Sequence, residues 1–165
     1  MGAVLRAIKG YAAPETGQAY ARARELWEQL GSPSEFLNIP FGQSDYHMGR
    51  GELDLALRLD EDLLRLSRQR NEYAGLVLGH LSSGRDLMLL GRFALSQSHL
   101  DEGMPFYDLI SHRSLIHQVG SDPRVSLQAY SAIVSFCLGF PDRALARAAQ
   151  QLLRLGSWRI RRLWL

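Results

Sequence analysis

The sequence predicts an all-α protein, and more specifically an α-solenoid of about three and a half antiparallel helix pairs. Apolar residues recur at spacings of three and four along nearly every segment, which is the period of an amphipathic helix. Neither a convincing alternation of period two nor an Asn-Gly or Asp-Gly hairpin turn is found. A glycine-led frame also recurs between helical segments, which indicates a repeat.

The first predicted helix covers "PETGQAYARARELWEQLG". Pro14 suits the first turn, where a backbone N–H would have no helical partner, and Gly31 suits the end of the helix. The apolar residues near one side are Ala19, Tyr20, Ala23, Leu26, Trp27 and Leu30. This stripe predicts a helix with one face packed against the rest of the protein.

The next predicted helix, "FLNIPFGQSDYHMGRG", is the weakest of the set. It should be the first helix of a pair, but Pro40 and Gly42 are expected to break or kink it. The pair Ser44-Asp45 also weakens its apolar face. The sequence therefore predicts an imperfect unit here.

Two strongly periodic helices follow, "GELDLALRLDEDLLRLSRQR" and "EYAGLVLGHLSSGRDLMLLG". The first contains three consecutive acids, Asp60 to Asp62, and paired carboxylates can perform acid–base chemistry. Adjacent residues on a helix point in different directions, so a solvated face paired with Arg58 and Arg65 is the favoured interpretation. Asp60 nevertheless stands where the repeat would have an apolar residue or alanine.

The last two predicted helices are "DPRVSLQAYSAIVSFCLG" and "PDRALARAAQQLLRLG". Asp122 is expected to cap the first of them, with Pro123 directly behind it. The chain's one cysteine, Cys137, lies in the apolar run "IVSFCLGF" and is expected to be a small buried hydrophobe. A single cysteine forms no internal disulfide, which is compatible with a reducing compartment.

Three turns share the frame that defines the repeat: "GELDLA", "GRFALS" and "GFPDRA". In each, a glycine is followed two residues later by an apolar residue or proline, and five residues later by a small residue. Glycine permits a tight turn with positive φ, and the small residue lets two helices lie close together. The predicted positions are Gly51 with Ala56, Gly91 with Ser96, and Gly139 with Ala144.

The stretch from His99 to Val125 holds three of the five histidines and separates two repeat units. His112 and His117 are five residues apart, whereas zinc ligands on one helix are usually three or four apart. No metal site is therefore predicted. The favoured interpretation is a long elbow in which polar side chains such as His112 bind open backbone groups. A ligand-contacting loop is the alternative.

Composition and charge exclude several classes of function. Residues 1–153 carry 15 basic and 17 acidic groups, so no basic face for nucleic acid is indicated. No apolar run approaches the roughly 18 residues of a membrane span, and no signal peptide is recognisable. A cytoplasmic protein without a cofactor is expected. No G-x-x-x-x-G-K-[ST] phosphate loop is present.

In the middle unit, small and apolar residues stand at the spacing of the tetratricopeptide motif. These residues are Gly84, Gly91, Phe93, Ser96, Leu100 and Gly103. The chain also resembles the long, degenerate repeats of large bacterial proteins that join a class III adenylate/guanylate cyclase domain, an AAA-type ATPase domain and a C-terminal helical array. The resemblance rests on "GYA", "H-L-x-x-G", "Y-D", "H-R-S" and "G-x-D-P" in this order, and covers roughly residues 7–155.

The resemblance implies a tetratricopeptide-like domain over residues 1–155, followed by an atypical basic and aromatic tail over residues 156–165. None of the matching motifs is catalytic, so an enzyme is not expected; cyclase or ATPase activity would belong to other domains. The tail, "GSWRIRRLWL", is not the polar capping helix that a solenoid needs. It favours a truncated sequence, with self-association, partner binding or a membrane surface as alternatives.

The function that follows is a protein-interaction or regulatory module, expected to be a fragment of a larger signalling protein. A partner's helix or extended peptide would lie in a groove lined by the first helix of each pair. Candidate groove residues are Tyr46, His80, Arg85, Gln128 and Tyr130. The alternatives are a small-molecule sensor with a pocket near Tyr107 to His117, and a degenerate remnant without present function.

Overall fold

The structure is a computed structural model that describes residues 8–10 and 12–149, and every regular element in this part of the chain is helical. The prediction of the all-α class is confirmed. The helices are α1 (Pro14–Gln29), α2 (Asn38–Gly49), α3 (Leu53–Arg70), α4 (Tyr73–Leu89), α5 (Phe93–Tyr107), α6 (His112–Val119) and α7 (Pro123–Cys137). A short 3₁₀ turn at Ser34–Phe36 precedes α2, and residues 141–149 are helical.

Helices that follow one another along the chain pack together, from α1 on α2 through to α4 on α5. The helix α7 then packs on both α4 and α5, while α2 also contacts α4. α4 thus has neighbours on several sides, and 13 of its 17 residues are buried. The core cluster comprises Leu37, Leu63, Val77, Leu78, Leu81, Leu100, Tyr107, Leu115, Leu127 and Val134.

Glycines in the left-handed region end several of these helices. Gly51, Gly91 and Gly139 have φ of +77°, +73° and +85°, the turn conformation that the repeated frame predicts. In each turn the next N–H donates back to a carbonyl in the last turn of the preceding helix; Arg92 N, for example, lies 2.9 Å from Leu87 O. The small residues Ala56 and Ser96 are fully buried, and Ala144 is half-buried.

Glycines inside α4 allow the helices beside it to come close. A Cβ on Gly84 would lie 2.6 Å from Cγ and Cδ2 of Leu100 on α5. A Cβ on Gly79 would lie 2.7 Å from the same atoms of Leu64 on α3. Real Cβ atoms do not approach other carbons this closely, so these glycines set the spacing of α3 and α5 around α4.

The second helix is continuous, so the expected break at Pro40 and Gly42 is wrong. Pro40 is the third residue of α2. An N–H group in the first turn makes no hydrogen bond within the helix, so a proline at this position costs no such bond. Gly42 lies directly under the ring of Tyr20 from α1, and Gly17 of α1 lies under the ring of Tyr46 from α2. The glycine that was expected to weaken the helix is thus the place where a neighbouring tyrosine packs.

The long connection before α7 contains a helix, α6, and side-chain hydrogen bonds form at both ends of this helix. His112 Nε2 lies 2.8 Å from the carbonyl oxygen of Tyr107, as expected for a histidine that binds an open backbone group. Asp122 accepts a hydrogen bond from the backbone N–H of Arg124 at 3.0 Å, which confirms the predicted cap. The Tyr107 hydroxyl donates to the same carboxylate at 2.7 Å.

Cys137 is exposed, so its expected burial is wrong. The apolar run "IVSFCLGF" lies at the end of α7, where only one side of the helix packs against α4 and α5. Val134 is fully buried on that side, whereas Ile133 and Phe136 are 49% and 66% exposed. An apolar run longer than one helical turn always places some residues on the outer side.

We expect Gly84→Ala to destabilise the protein, although alanine is the better helix former. The added methyl group would overlap Leu100, which is completely buried and has no room to move. Overpacking of this kind costs about 1–3 kcal/mol. Thermal unfolding followed by circular dichroism would measure the loss.

The exposed α3 residue Gln69 provides the control, because Gln69→Ala changes helix propensity without changing a contact in the core. Its melting temperature should stay close to that of the wild type. A Gly84→Ala protein as stable as the wild type would show that α4 and α5 do not need this close approach.

Candidate functional site

The five predicted groove residues lie on α2, α4 and α7, and two of them line one pocket. Arg85 and Tyr130 both contribute to a cavity of about 200 Å³ between these helices. Tyr46 packs on α1, His80 is buried toward α5, and Gln128 is half-buried on α7. The structure therefore brings together part of the predicted set.

This cavity, which we call the α2–α4–α7 pocket, has a polar floor and partly apolar walls. The walls come from the three helices, from the last residue of α6 and from the turn that leads into α7. The lining residues are Phe41, Asp45, Leu81, Arg85, Val119, Ser121, Pro123, Ser126 and Tyr130.

The floor of the pocket is an ion pair between α2 and α4. Arg85 donates through Nη1 to Asp45 and through Nε to Asp86 Oδ1, at 2.7 Å for the latter. Arg85 and Asp45 are 7% and 5% exposed and Asp86 is fully buried, so these charges are largely removed from water. Burial opposes the charge of Arg85, but the two carboxylates raise its pKa above the ordinary value. The guanidinium therefore keeps its proton.

Asp60 lies behind this ion pair and is fully buried, so its expected place on a solvated face is wrong. The hydroxyl groups of Ser44 on α2 and Ser82 on α4 lie close to its carboxyl group and lower its pKa in part. Burial, followed by repulsion from Asp86, raises the pKa of Asp60 well above its ordinary value. Burial therefore favours the protonated form of this carboxyl group over the charged form.

The neighbours of Asp60 behave as expected. Glu61 and Asp62 are exposed, and Asp62 forms an ion pair of 2.6 Å with Arg65. Asp60 differs because it lies one turn after the buried Ala56. The sequence carried this signal, since the buried face of α3 is a regular series of Ala56, Asp60, Leu63, Leu64 and Ser67.

A group of rings lies between α4 and α5, away from the pocket. His80 is 1% exposed, stacks on Phe106 with 5.9 Å between centroids, and lies 5.2 Å from the ring of His99. Burial and repulsion from His99 lower the pKa of His80 to about 4. His80 is thus a neutral core residue, and in the described ranges no three His, Cys, Asp or Glu side chains are placed to hold a metal ion.

A second pocket, of about 340 Å³, lies beside the stretch that connects α5 to α7. We call it the α6 pocket, because α6 and the residues before it form one wall. His112 stacks on Tyr107 instead of lining this cavity. The lining residues are Ser34, Glu35, Asn71, Glu72, Tyr73, Ala74, Leu109, Ile110, Ser111, Ser114, Leu115 and Gln118.

The comparisons with known proteins returned no matching family, no matching curated protein and no matching solved structure. Across the described ranges, none of the helices combines the length and the apolar character needed to cross a membrane. The tail over residues 156–165, with the self-association suggested for it, lies outside the described residues.

We expect Asp60→Asn to stabilise the protein at pH 8 and to give a smaller gain near pH 4. The raised pKa of Asp60 means that the folded state binds this proton more tightly than the unfolded state does. The contribution of protonated Asp60 to the free energy of unfolding is therefore fully present below the pKa that Asp60 has in the unfolded chain. This contribution is lost as the pH rises through the pKa that Asp60 has in the folded protein. Asparagine does not titrate, so the melting temperature at pH 8 should rise by roughly 2–4 °C, the equivalent of about 1 kcal/mol.

Asp62→Asn is the matched control, because Asp62 is an exposed aspartate on the same helix. Its melting temperature should follow that of the wild type at both pH values. If the stability of the wild type, measured relative to Asp60→Asn, does not fall between pH 4 and pH 8, the raised pKa of Asp60 is contradicted.

Proposed function

We propose that this chain is a non-catalytic protein-interaction or regulatory module of the tetratricopeptide-like type. In this proposal it is a piece of a larger, cytoplasmic bacterial signalling protein of the cyclase/ATPase kind, and its partner is a protein or peptide. The α2–α4–α7 pocket carries the proposal, because it lies where the first helix of each repeat would meet a bound partner.

The order of the helices supports an α-solenoid of about three and a half antiparallel pairs. α2 and α3, α4 and α5, and α7 and residues 141–149 are joined by Gly51, Gly91 and Gly139. α1 stands as the half repeat before them. The packing of α2 on α4 and of α4 on α7 is that of first helices side by side.

The chemistry of the pocket also favours binding over catalysis. Its ionisable floor residues, Arg85 and Asp45, are bound to each other, and Asp86 accepts a hydrogen bond from Nε of the guanidinium. A catalytic acid or base needs its reactive atom within hydrogen-bond reach of a substrate. Paired and buried charges are better suited to shaping a surface that a partner recognises.

Selection of a random-peptide library on the immobilised chain would test this proposal. We expect enriched peptides whose affinity falls about tenfold or more on Tyr130→Ala, because aromatic side chains in pockets provide much of the binding energy of an interface. Ser121→Trp should have the same effect, because it fills the mouth of the pocket from an exposed position.

Tyr73→Ala is the matched control, since Tyr73 is 40% exposed and lies outside this pocket. Circular dichroism of each variant would establish that it is folded. Peptides that bind Ser121→Trp and Tyr130→Ala as tightly as the wild type would place the interaction elsewhere and overturn the proposed groove.

The volume of the α6 pocket favours a second candidate, a small-molecule sensor. Its 340 Å³ falls within the range of known ligand sites, and its wall includes the stretch near Tyr107 to His117 that the sequence suggested for such a pocket. In this case a metabolite would bind between two repeats and hold them in one arrangement.

A thermal-shift screen of metabolites would test this candidate. A ligand at one hundred times its Kd should stabilise the chain by about 2.7 kcal/mol and raise its melting temperature. The shift should disappear in Ser114→Trp, which fills the α6 pocket, and remain in Ser121→Trp, which does not. A shift that Ser114→Trp leaves unchanged would refute a sensor at this pocket.

A further inference from the structure

The helix α7 is apolar on two opposite sides. On the inner side, Leu127 lies against Gly103 of α5. Ser131 and Ser135 form hydrogen bonds with Gln97 of the same helix, so this side is held by α5. The opposite side carries a second apolar series at spacings of three and four residues, which we call the outer stripe: Ala129, Ala132, Ile133, Phe136 and Cys137.

The outer stripe and the rest of α7 contain almost no charge. Of its 15 residues, Arg124 alone is charged, and it lies outside the stripe in an ion pair with Asp108. A surface helix ordinarily has charged residues on the side that faces water, whereas a helix that is apolar all round is usually buried. The larger residues of the stripe nevertheless remain exposed, namely Ile133, Phe136 and Cys137. The composition of α7 is therefore that of a helix covered on both sides.

The turn after α7 extends this apolar surface. Leu138 and Phe140 are exposed there, directly after the stripe ends. With about 150–250 Å² for a large side chain, the exposed parts of these residues and of the outer stripe come to roughly 500 Å². Monomeric proteins rarely expose a continuous apolar patch of more than a few hundred Å². Burial of this surface on two copies would remove about 1,000 Å², which is the lower limit for a specific interface.

The absence of charge indicates that the stripe is covered by a second copy of itself. A charged group that lost its water against the stripe would find no opposite charge there, which is unfavourable. An identical stripe meets this condition, because it brings no charge to the contact. Residues 156–165 of the chain meet it less well, since they contain Arg159, Arg161 and Arg162 and no acidic residue.

The border of the apolar surface is complementary to itself. Asp142 and Arg143 lie just after Phe140, and both are exposed. In a contact with two-fold symmetry the same surface is present on both sides, so an acidic border residue of one copy can meet the basic residue of the other. Adjacent residues of opposite charge therefore allow ion pairs around an uncharged centre.

We propose that two copies of this chain form a two-fold symmetric dimer in which the outer stripes of the two α7 helices pack against each other. The small side chains of Ala129 and Ala132 let the two helices approach closely, while Ile133 and Phe136 provide most of the buried apolar surface. The inference goes beyond the proposed function, because it concerns a contact between copies and not the binding of a partner at the α2–α4–α7 pocket.

Sedimentation equilibrium of the full chain over a range of concentrations tests the inference. With an interface of about 1,000 Å², we expect a reversible equilibrium between one chain and two, with a dissociation constant in the micromolar range. Phe136→Glu should raise this constant at least about tenfold, because it places a carboxylate on each side of an apolar contact. Phe136 is 66% exposed, so circular dichroism of the variant should show an unchanged fold.

Leu30→Glu is the matched control. Leu30 is 72% exposed and follows α1, the first helix of the series, so the same charge is introduced on an open apolar residue outside the stripe. Its dissociation constant should remain that of the wild type.

The single cysteine provides an independent measurement, because Cys137 belongs to the outer stripe. In the dimer its thiol is covered. Its reaction with a maleimide in excess should therefore slow as the protein concentration is raised through the dissociation constant. Phe136→Glu should remove this dependence on concentration, and Leu30→Glu should retain it.

A chain that stays monomeric at every concentration would overturn the inference. So would a dimer that Phe136→Glu leaves unchanged, or a Cys137 thiol that reacts at one rate throughout. Loss of the dimer in Leu30→Glu would place the contact at α1, and loss only in Trp164→Glu would place it in residues 156–165; either result contradicts the packing of two stripes. None of these results affects the peptide selection, so failure of this inference is distinguishable from failure of the proposed function.

Discussion

The packing of four helices around α4 is the constraint on which the rest of the structure depends. Gly79 and Gly84 bring Leu64 of α3 and Leu100 of α5 against the α4 backbone. α2 and α7 pack on the same helix, so almost none of α4 faces water. A shift of one neighbouring helix would therefore displace the others, because the packed side chains leave little free volume.

Burial of α4 then determines the chemistry of its polar residues. Arg85 and Asp86 are adjacent in sequence and would ordinarily reach solvent, but here they must be neutralised inside the protein. Asp45 from α2 provides the second carboxylate, which ties α2 to α4. The pair that stabilises this contact also forms the floor of the α2–α4–α7 pocket, so packing and the proposed binding site share the same side chains.

Local signals in the sequence were sufficient where a structure depends on neighbours along the chain. The cap at Asp122 and the positive φ of Gly51, Gly91 and Gly139 are set by residues within one helical turn. The pocket was found only in part: Arg85 and Tyr130 were expected in a groove, whereas the roles of Phe41, Asp45 and Ser126 were missed. Those residues meet only when helices distant in sequence pack together, and no local pattern encodes such a meeting.

The sequence by itself determined the all-α class, most helix positions and the turn glycines, because these follow from a period of 3.6 residues and from backbone geometry. Tertiary structure decided which side of each helix is covered. It buried Asp60 where charge alone favoured solvent, and exposed Cys137 where hydrophobicity favoured the core. The physical reason is that burial depends on the number and position of neighbouring helices, and this property belongs to the assembled fold.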